Sequence, residues 1–129
     1  MVESDVNLGL ANSIIKGVSS IFEKYEKVIV LEDDLLTTQN FLLYMNQALD
    51  EYEETKNVFS ISGYSLNLMS ASYPSETTYF LNRSWSWGWA TWKDCWKHFN
   101  DDAVALWNEI NTKDVVSKLD KFGSNQNWL

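Results

Sequence analysis

The segment KVIVLEDD, residues 27–34, constrains the fold more than any other part of the chain. Residues 28–31 are all apolar and lack the alternation of a strand with one solvated face. Such a run is typical of a strand buried on both faces, inside a parallel sheet covered by helices. Three carboxylates follow at once, on Glu32, Asp33 and Asp34. The sequence therefore predicts a central strand that ends in an acidic cluster.

The elements around this strand predict an α/β domain. Apolar residues at helical spacing precede the strand, and Phe41, Met45 and Leu49 mark one side of the helix that follows it. The order of elements favours a partly parallel sheet with flanking helices. We expect strands over residues 27–31, 58–62 and 78–81, and helices over residues 8–23, 41–52, 92–99 and 115–122.

The 129 residues correspond to one domain. Three strands are few for such a sheet, and a helix leads directly into the central strand, so one edge of the sheet lacks a strand. We interpret the chain as a fragment of a larger domain, or as a domain completed by a partner. The alternative is a small three-layer fold whose edge is covered by the helical tail. An open edge can also pair with a second copy of the chain, as a homodimer.

Composition and charge exclude several classes of protein. Apolar residues make up 45% of the chain and aromatic residues 15%, which is incompatible with disorder as the main state. The net charge of −8 disfavours nucleic acid as a partner, because a phosphate backbone would be repelled. The single Cys95 cannot form an internal disulfide, and no secretory or membrane-spanning pattern is visible. We expect a cytoplasmic protein, either free or peripheral to the inner face of the membrane.

The acidic cluster suggests a metal site. On a strand, side chains alternate, so Glu32 and Asp34 are expected on one side and Asp33 on the other. Ligands of open α/β sheets bind beyond the carboxyl ends of the strands. Neighbouring carboxylates repel one another, and a hard cation such as Mg²⁺ or Mn²⁺, with a bound diphosphate, would relieve the repulsion. The alternative is an acidic turn on the surface.

The second notable segment is SWSWGWATW, residues 84–92. Tryptophan rings stack on the apolar faces of sugars, and Gly88 would let the backbone approach a ligand closely. For Trp85 and Trp87 a role in a binding groove and a role in the core remain open. The spacing of Trp89, Trp92, Trp96 and Phe99 favours a helical core stripe.

Three single residues complete the candidates. Arg83 is the only arginine, and its guanidinium suits either a phosphate or a structural ion pair. Cys95 and His98 lack the spacing of metal ligands, and we expect them to pack.

These segments together resemble a known family. VIVLEDDLLTTQNFLLYMNQAL looks like the metal-binding segment of glycosyltransferases with the GT-A fold, in the Glu-Asp-Asp variant of the Asp-x-Asp motif. That variant resembles the one in N-acetylglucosaminyltransferases and bacterial family-2-like sugar transferases. NLGLANSIIKGVSSIF is similar to the helix that precedes the motif, and SWSWGWATW resembles the acceptor-side loop of a bacterial subgroup. The resemblance covers roughly residues 7–107.

The resemblance implies a GT-A-like, Rossmann-like sheet and a metal-dependent transfer of a sugar. Asp34 would ligate Mn²⁺ or Mg²⁺, while Glu32 and Asp33 would contact the ribose or reach the metal through water. The donor would be a nucleotide-diphosphate sugar, which Arg83 is also expected to contact. The acceptor, a glycan, a polysaccharide or a lipid-linked sugar, would bind at a second group of residues: Trp85, Trp87 and Gly88.

The sequence also departs from the family. The N-terminal βαβ unit that holds the nucleotide base is not found, which agrees with the missing sheet edge. The catalytic base is expected near GSNQNWL, where Asn125, Gln126 and Asn127 cannot accept a proton usefully. We therefore assign no catalytic base and expect a partial catalytic domain. The alternative is a non-catalytic carbohydrate-binding or interaction module on the same scaffold.

Overall fold

The computed structural model describes residues 6–64 and 78–112, with side chains up to residue 110. The described part is a mixed α/β structure, as predicted, with a three-stranded sheet and four helices. The helix expected over residues 115–122 lies outside the described residues. The elements are α1 (Leu10–Phe22), β1 (Lys27–Val30), α2 (Phe41–Glu51), β2 (Ile61–Ser62), β3 (Trp89–Trp92), α3 (Lys93–Trp96) and α4 (Ala103–Thr112).

The sheet has the strand order β1-β3-β2, and β3 runs antiparallel to both neighbours. The prediction of a partly parallel sheet is therefore wrong for the strand pairs in the described ranges. β1 and β2 do run in the same direction, as two strands joined by α2 are expected to. They are not neighbours, however, because β3 lies between them: Ala90 pairs with Ile29 on one side and with Ile61 on the other.

All three predicted strands also require correction. The strand predicted over residues 58–62 is confined to Ile61–Ser62. Residues 78–81 do not form a strand, and the third strand is instead Trp89–Trp92, which the spacing of tryptophans had assigned to a loop and a helix. Trp89 and Trp92 lie on opposite faces of the sheet, since side chains alternate along a strand. The prediction that this strand is central and buried on both faces is wrong for the described sheet, because β1 is its edge strand and all four residues of β1 are only half-buried.

The core lies between the sheet and α2. Phe41, Met45, Ala48 and Leu49 form the buried side of α2, as its helical spacing predicts. They pack against residues of all three strands, because Ile29 borders this cluster and the remaining buried members come from β2 and β3: Ile61, Ala90 and Trp92. Burial of this apolar surface is the main source of stability for a domain of this size.

The opposite face of the sheet is covered by α1. Val18 and Phe22 are the buried residues of this helix. The Nε1–H of Trp96 donates a hydrogen bond to the Ser19 hydroxyl at 3.1 Å, which ties α3 to α1. The described residues therefore form three layers, α1, sheet and α2. No helix within them has the length and apolar character needed to cross a membrane.

Candidate functional site

The strand directions bring three loops to one end of the sheet. Trp89, the first residue of β3, pairs with Val30 at the end of β1 and with Ser62 at the end of β2. The segments that follow β1 and β2 and the segment that precedes β3 therefore meet at this end, which we call the site end. The acidic residues and the tryptophan-rich segment, far apart in sequence, are thereby placed on the same side of the molecule.

The acidic residues form a turn rather than a continuation of the strand. β1 ends at Val30, and the N–H of Leu35 donates a hydrogen bond to the Glu32 carbonyl at 3.3 Å. Asp33 and Asp34 occupy the middle of this turn and are exposed, while Glu32 is half-buried. The expected alternation of these three side chains is therefore wrong, because the pleated backbone that produces alternation ends before them.

The donor set of this turn is limited. Within residues 6–64 and 78–110, no three histidine, cysteine or acidic side chains are arranged to hold a metal ion by themselves. One or two carboxylate oxygens can still ligate Mg²⁺ when waters and substrate phosphates complete the shell, which is its usual mode in proteins. The oxygen donors of Glu32, Asp33 and Asp34 fit a hard cation of this type.

Two glycines join the loops at the site end. The N–H of Gly63 donates a hydrogen bond to the Gly88 carbonyl at 2.7 Å. A Cβ atom on Gly63 would lie 2.7 Å from Cε of Met45 and 3.0 Å from the Gly88 carbonyl oxygen, so a larger residue would force its neighbours to shift. Gly88 has φ of +69° and is buried, with Phe41 and Leu31 as its neighbours. The close approach that we predicted for Gly88 is thus made to the core, and it places this residue beside the start of the acidic turn.

Trp85 and Trp87, for which a groove role and a core role were both open, lie against Tyr64. The Tyr64 ring meets Trp85 edge-on with centroids 5.8 Å apart, and Trp87 in the same manner at 4.8 Å. Trp85 is half-buried and Trp87 remains 54% exposed, so neither belongs to the packed core. The sequence analysis missed Tyr64. An aromatic residue directly after Gly63, at the end of a predicted strand, was the available signal.

Arg83 is exposed on the chain that leads into β3. It forms no ion pair with a carboxylate in the part of the chain that the structure describes. Among those residues, the structural ion pair that we considered for Arg83 is therefore absent.

A groove of about 640 Å³ runs between α1 and the face of the sheet that carries Trp89 and Thr91. On its floor, Trp96 stacks against Phe99 with ring centroids 4.4 Å apart and against Trp89 at 6.0 Å. None of the described residues that line the groove is an aspartate, glutamate, lysine or arginine. Trp85 lines the groove as well, so it connects the groove to the site end.

Cys95 and His98 make packing contacts. Sγ of Cys95 lies 3.7 Å from the Val58 carbonyl oxygen. Burial raises the pKa of the Cys95 thiol, and the neighbouring Asp94 carboxylate raises it further. The His98 ring meets Phe59 edge-on with centroids 6.1 Å apart. Asn125, Gln126 and Asn127, where a catalytic base was sought, lie outside the described residues.

The geometry of the site end is the basis for assigning a function. Comparison with protein-family models, curated proteins and solved structures found no match to this chain.

Proposed function

We propose that this chain is the metal-binding and acceptor-binding part of a glycosyltransferase catalytic domain of the GT-A type. The enzyme would transfer a sugar from a nucleotide-diphosphate sugar to a glycan, a polysaccharide or a lipid-linked acceptor. The observation that carries the proposal is the meeting of the acidic turn, Tyr64 and the tryptophan-rich segment at the site end. The acidic turn would bind the sugar donor, and the aromatic residues would bind the acceptor.

The donor half uses the acidic turn. Asp34 would hold Mn²⁺ or Mg²⁺, with Glu32 and Asp33 contacting the ribose or reaching the metal through water. The metal supplies positive charge to the diphosphate leaving group as negative charge builds on it. The exposed guanidinium of Arg83 is suited to contact the same diphosphate through two hydrogen bonds. Because no described set of side chains encloses a cation, binding of the metal and binding of the nucleotide are expected to depend on each other.

The acceptor half uses the aromatic side chains. Trp85 and Trp87 pack against Tyr64 at steep angles, and the 54% exposure of Trp87 leaves ring surface for stacking on a sugar. Gly88 fixes the position of these rings, because its φ of +69° and its contact with Phe41 hold the loop against the core. A rigid loop of this kind places an acceptor with little loss of conformational entropy on binding.

The test is calorimetric titration of the chain with Mn²⁺ and a panel of nucleoside diphosphates. We expect binding of the nucleotide in the presence of Mn²⁺ and much weaker binding of either component alone. Asp34→Asn removes a ligand charge while keeping the size of the side chain, so it should weaken nucleotide binding in Mn²⁺ at least about tenfold.

Glu54→Gln is the matched control, because Glu54 is exposed in the connection between α2 and β2 and is remote in sequence from the acidic turn. It should bind as the unmodified chain does. Absence of heat with every nucleotide from folded protein, or equal binding by Asp34→Asn and the unmodified chain, contradicts the proposal.

A non-catalytic carbohydrate-binding module is the second candidate. The exposure of Trp87 beside Tyr64 favours it, since this surface offers a stacking platform without any metal. The module predicts that Trp87→Ala abolishes binding of an oligosaccharide array and that a chelator changes nothing. The glycosyltransferase predicts that donor binding is lost in the chelator, so one titration with EDTA separates the two functions.

A further inference from the structure

Phe41, the first residue of α2, lies beneath both glycines of the site end. It is 8% exposed and belongs to the core between α2 and the sheet. Its Cε2 atom occupies the space that a Cβ atom on Gly63 would need. A Cβ atom on Gly88 would lie 3.0 Å from the same Cε2 atom and 3.1 Å from Cζ. One side of the Phe41 ring therefore supports two loops, the one that follows β2 and the one that precedes β3.

Each of these glycines is next in sequence to an aromatic residue of the candidate acceptor site. Tyr64 follows Gly63, and Trp87 precedes Gly88. The hydrogen bond from the Gly63 N–H to the Gly88 carbonyl joins the two backbones, and the rings of Tyr64 and Trp87 lie 4.8 Å apart. Because a glycine lets another group approach its backbone closely, the Phe41 ring sets how near both loops come to the core. The placement of the two aromatic rings therefore depends on Phe41.

The same ring is connected to the acidic turn. The segment that contains this turn begins directly after Leu31 and ends at Phe41. Both of these side chains contact Gly88, because a Cβ atom there would also lie 3.8 Å from Cδ1 of Leu31. At the far end of the segment, the N–H of Phe41 donates a hydrogen bond to the Thr38 carbonyl at 3.1 Å. The acidic turn therefore lies between two residues that both contact the tryptophan-rich segment.

We infer that Phe41 is a positioning residue of the proposed glycosyltransferase, which holds Tyr64 and Trp87 at a fixed place relative to the acidic turn. The inference rests on the proposed function, because that function assigns the two rings to the acceptor. Phe41 is buried beneath the glycines and acts through the two loops rather than by touching a sugar. The acidic turn is closed by its own backbone hydrogen bond. Replacement of Phe41 should therefore weaken binding of the acceptor far more than binding of the donor.

Two titrations of Phe41→Leu test this inference. Leucine keeps the position apolar but does not reach as far as Cε2 and Cζ, so both glycines lose their support. Binding to an oligosaccharide array should weaken about tenfold or more, whereas binding of nucleoside diphosphates in Mn²⁺ should change less than about twofold. Phe41→Met is the second variant, because it preserves the fold by keeping most of the buried volume but replaces the rigid ring with a flexible chain. It should weaken binding to the array about threefold.

Leu49→Ala is the matched control for a loss of stability. Leu49 is 2% exposed on the same side of α2, and it is not among the three nearest neighbours of either glycine. Urea denaturation should show that Leu49→Ala destabilises the chain at least as much as Phe41→Leu does, because it leaves a cavity in the core. Its binding to the oligosaccharide array should nevertheless equal that of the unmodified chain.

The outcomes separate this inference from the proposed function. Equal binding of the array by Phe41→Leu and the unmodified chain overturns the inference, as does an equal loss of array binding and nucleotide binding in Phe41→Leu. An unmodified chain that binds a nucleotide in Mn²⁺ but no oligosaccharide also overturns it, while the donor half of the proposed function stands. An unmodified chain that binds the array but no nucleotide contradicts the proposed function, and a selective loss of array binding in Phe41→Leu then still supports the positioning role.

Discussion

The two faces of the sheet are built differently. On the α2 face, Met45 and Ala90 are completely buried and Leu49 is 2% exposed. On the α1 face, a groove of about 640 Å³ separates the helix from the aromatic stack around Trp96, and several of the aromatic side chains are half-buried or exposed. One face is closed by aliphatic and aromatic packing, and the other keeps aromatic surface accessible.

Under the proposed function, this difference separates the residues that stabilise the fold from those that would bind a ligand. The closed face removes apolar area from water and is densely packed. The open face and the site end keep rings exposed at a cost in stability, and concave apolar surfaces with a few polar groups are where small ligands bind. Substitutions on the two faces should therefore have unequal effects on unfolding and on binding.

The largest difference in the free energy of unfolding is expected between a side-chain truncation on the α2 face and one on the α1 face. Met45→Ala leaves a cavity in a fully buried position and should lower the free energy of unfolding by about 2–5 kcal/mol. Ile14→Ala, on the groove side of α1, removes a half-buried side chain that already borders open space, and should cost about 1 kcal/mol or less. Urea denaturation followed by circular dichroism measures both. Equal losses would show that the two faces are packed alike.

Two glycines should respond with opposite signs. Gly88→Ala forces a side chain into a left-handed backbone conformation and against Phe41, and should destabilise the chain by about 1–3 kcal/mol. At Gly17, within α1, an added Cβ meets nothing within 4 Å. Gly17→Ala should therefore stabilise the chain by about 0.5–1 kcal/mol through helix propensity. Thermal melts of the two variants give the signs directly, and a stabilising Gly88→Ala would contradict the close packing described for the site end.

Two tryptophan hydrogen bonds provide a finer comparison. Trp92 Nε1–H donates to the Leu49 carbonyl at 3.1 Å inside the closed face. Trp92→Phe leaves that carbonyl without its partner and should cost about 1–2 kcal/mol. Trp96 Nε1–H donates to Ser19 at an exposed position, where water can replace it, so Trp96→Phe should cost less than about 0.5 kcal/mol for the bond. Urea denaturation measures the free energy of unfolding of both variants. A larger loss for Trp96→Phe than for Trp92→Phe would contradict this prediction.

The smallest effect is expected from an exposed ion pair on α3. The Lys97 ammonium, hydrogen-bonded to Asp94, holds the pKa of that carboxyl below its ordinary value of 3.8. A lowered pKa in the folded state stabilises the chain above the ordinary value and loses this contribution as the pH falls through the folded-state pKa. The free energy of unfolding of Asp94→Asn should therefore be slightly lower than that of the unmodified chain at pH 7 and equal to it at pH 2. Urea denaturation at the two pH values measures this difference. Asp101→Asn is the control, and a difference for Asp94→Asn that grows toward low pH would contradict this sign.

Local periodicity predicted some elements well. The buried side of α2, with Phe41, Met45 and Leu49, follows directly from helical spacing, because a helix that covers a sheet needs one apolar side. The same reasoning failed for β3. Trp89 and Trp92 are three residues apart, which suits a helix, but the same spacing places one tryptophan on each face of a strand, and four residues cannot distinguish the two periods.

The candidate site was predicted in its residues but not in its arrangement. The acidic residues and the tryptophan-rich segment were identified from residue type, whereas their placement at one end of the sheet depends on β3 returning between β1 and β2. Tyr64 became a candidate only through its contacts with Trp85 and Trp87. The antiparallel pairing was not predicted, since the run of apolar residues in β1 favours a parallel sheet only statistically and does not fix the direction of the neighbouring strand.

The sequence by itself determined the α/β class, the acidic end of β1 and the apolar side of α2, because these depend on residue type and on spacing within a single element. The tertiary structure decided which strand lies beside which, that Glu32 begins a turn, and that Trp92 enters the core while Trp87 stays exposed. These outcomes depend on contacts between residues far apart in the chain. Their free energies are set by burial and backbone pairing, and no local pattern encodes them.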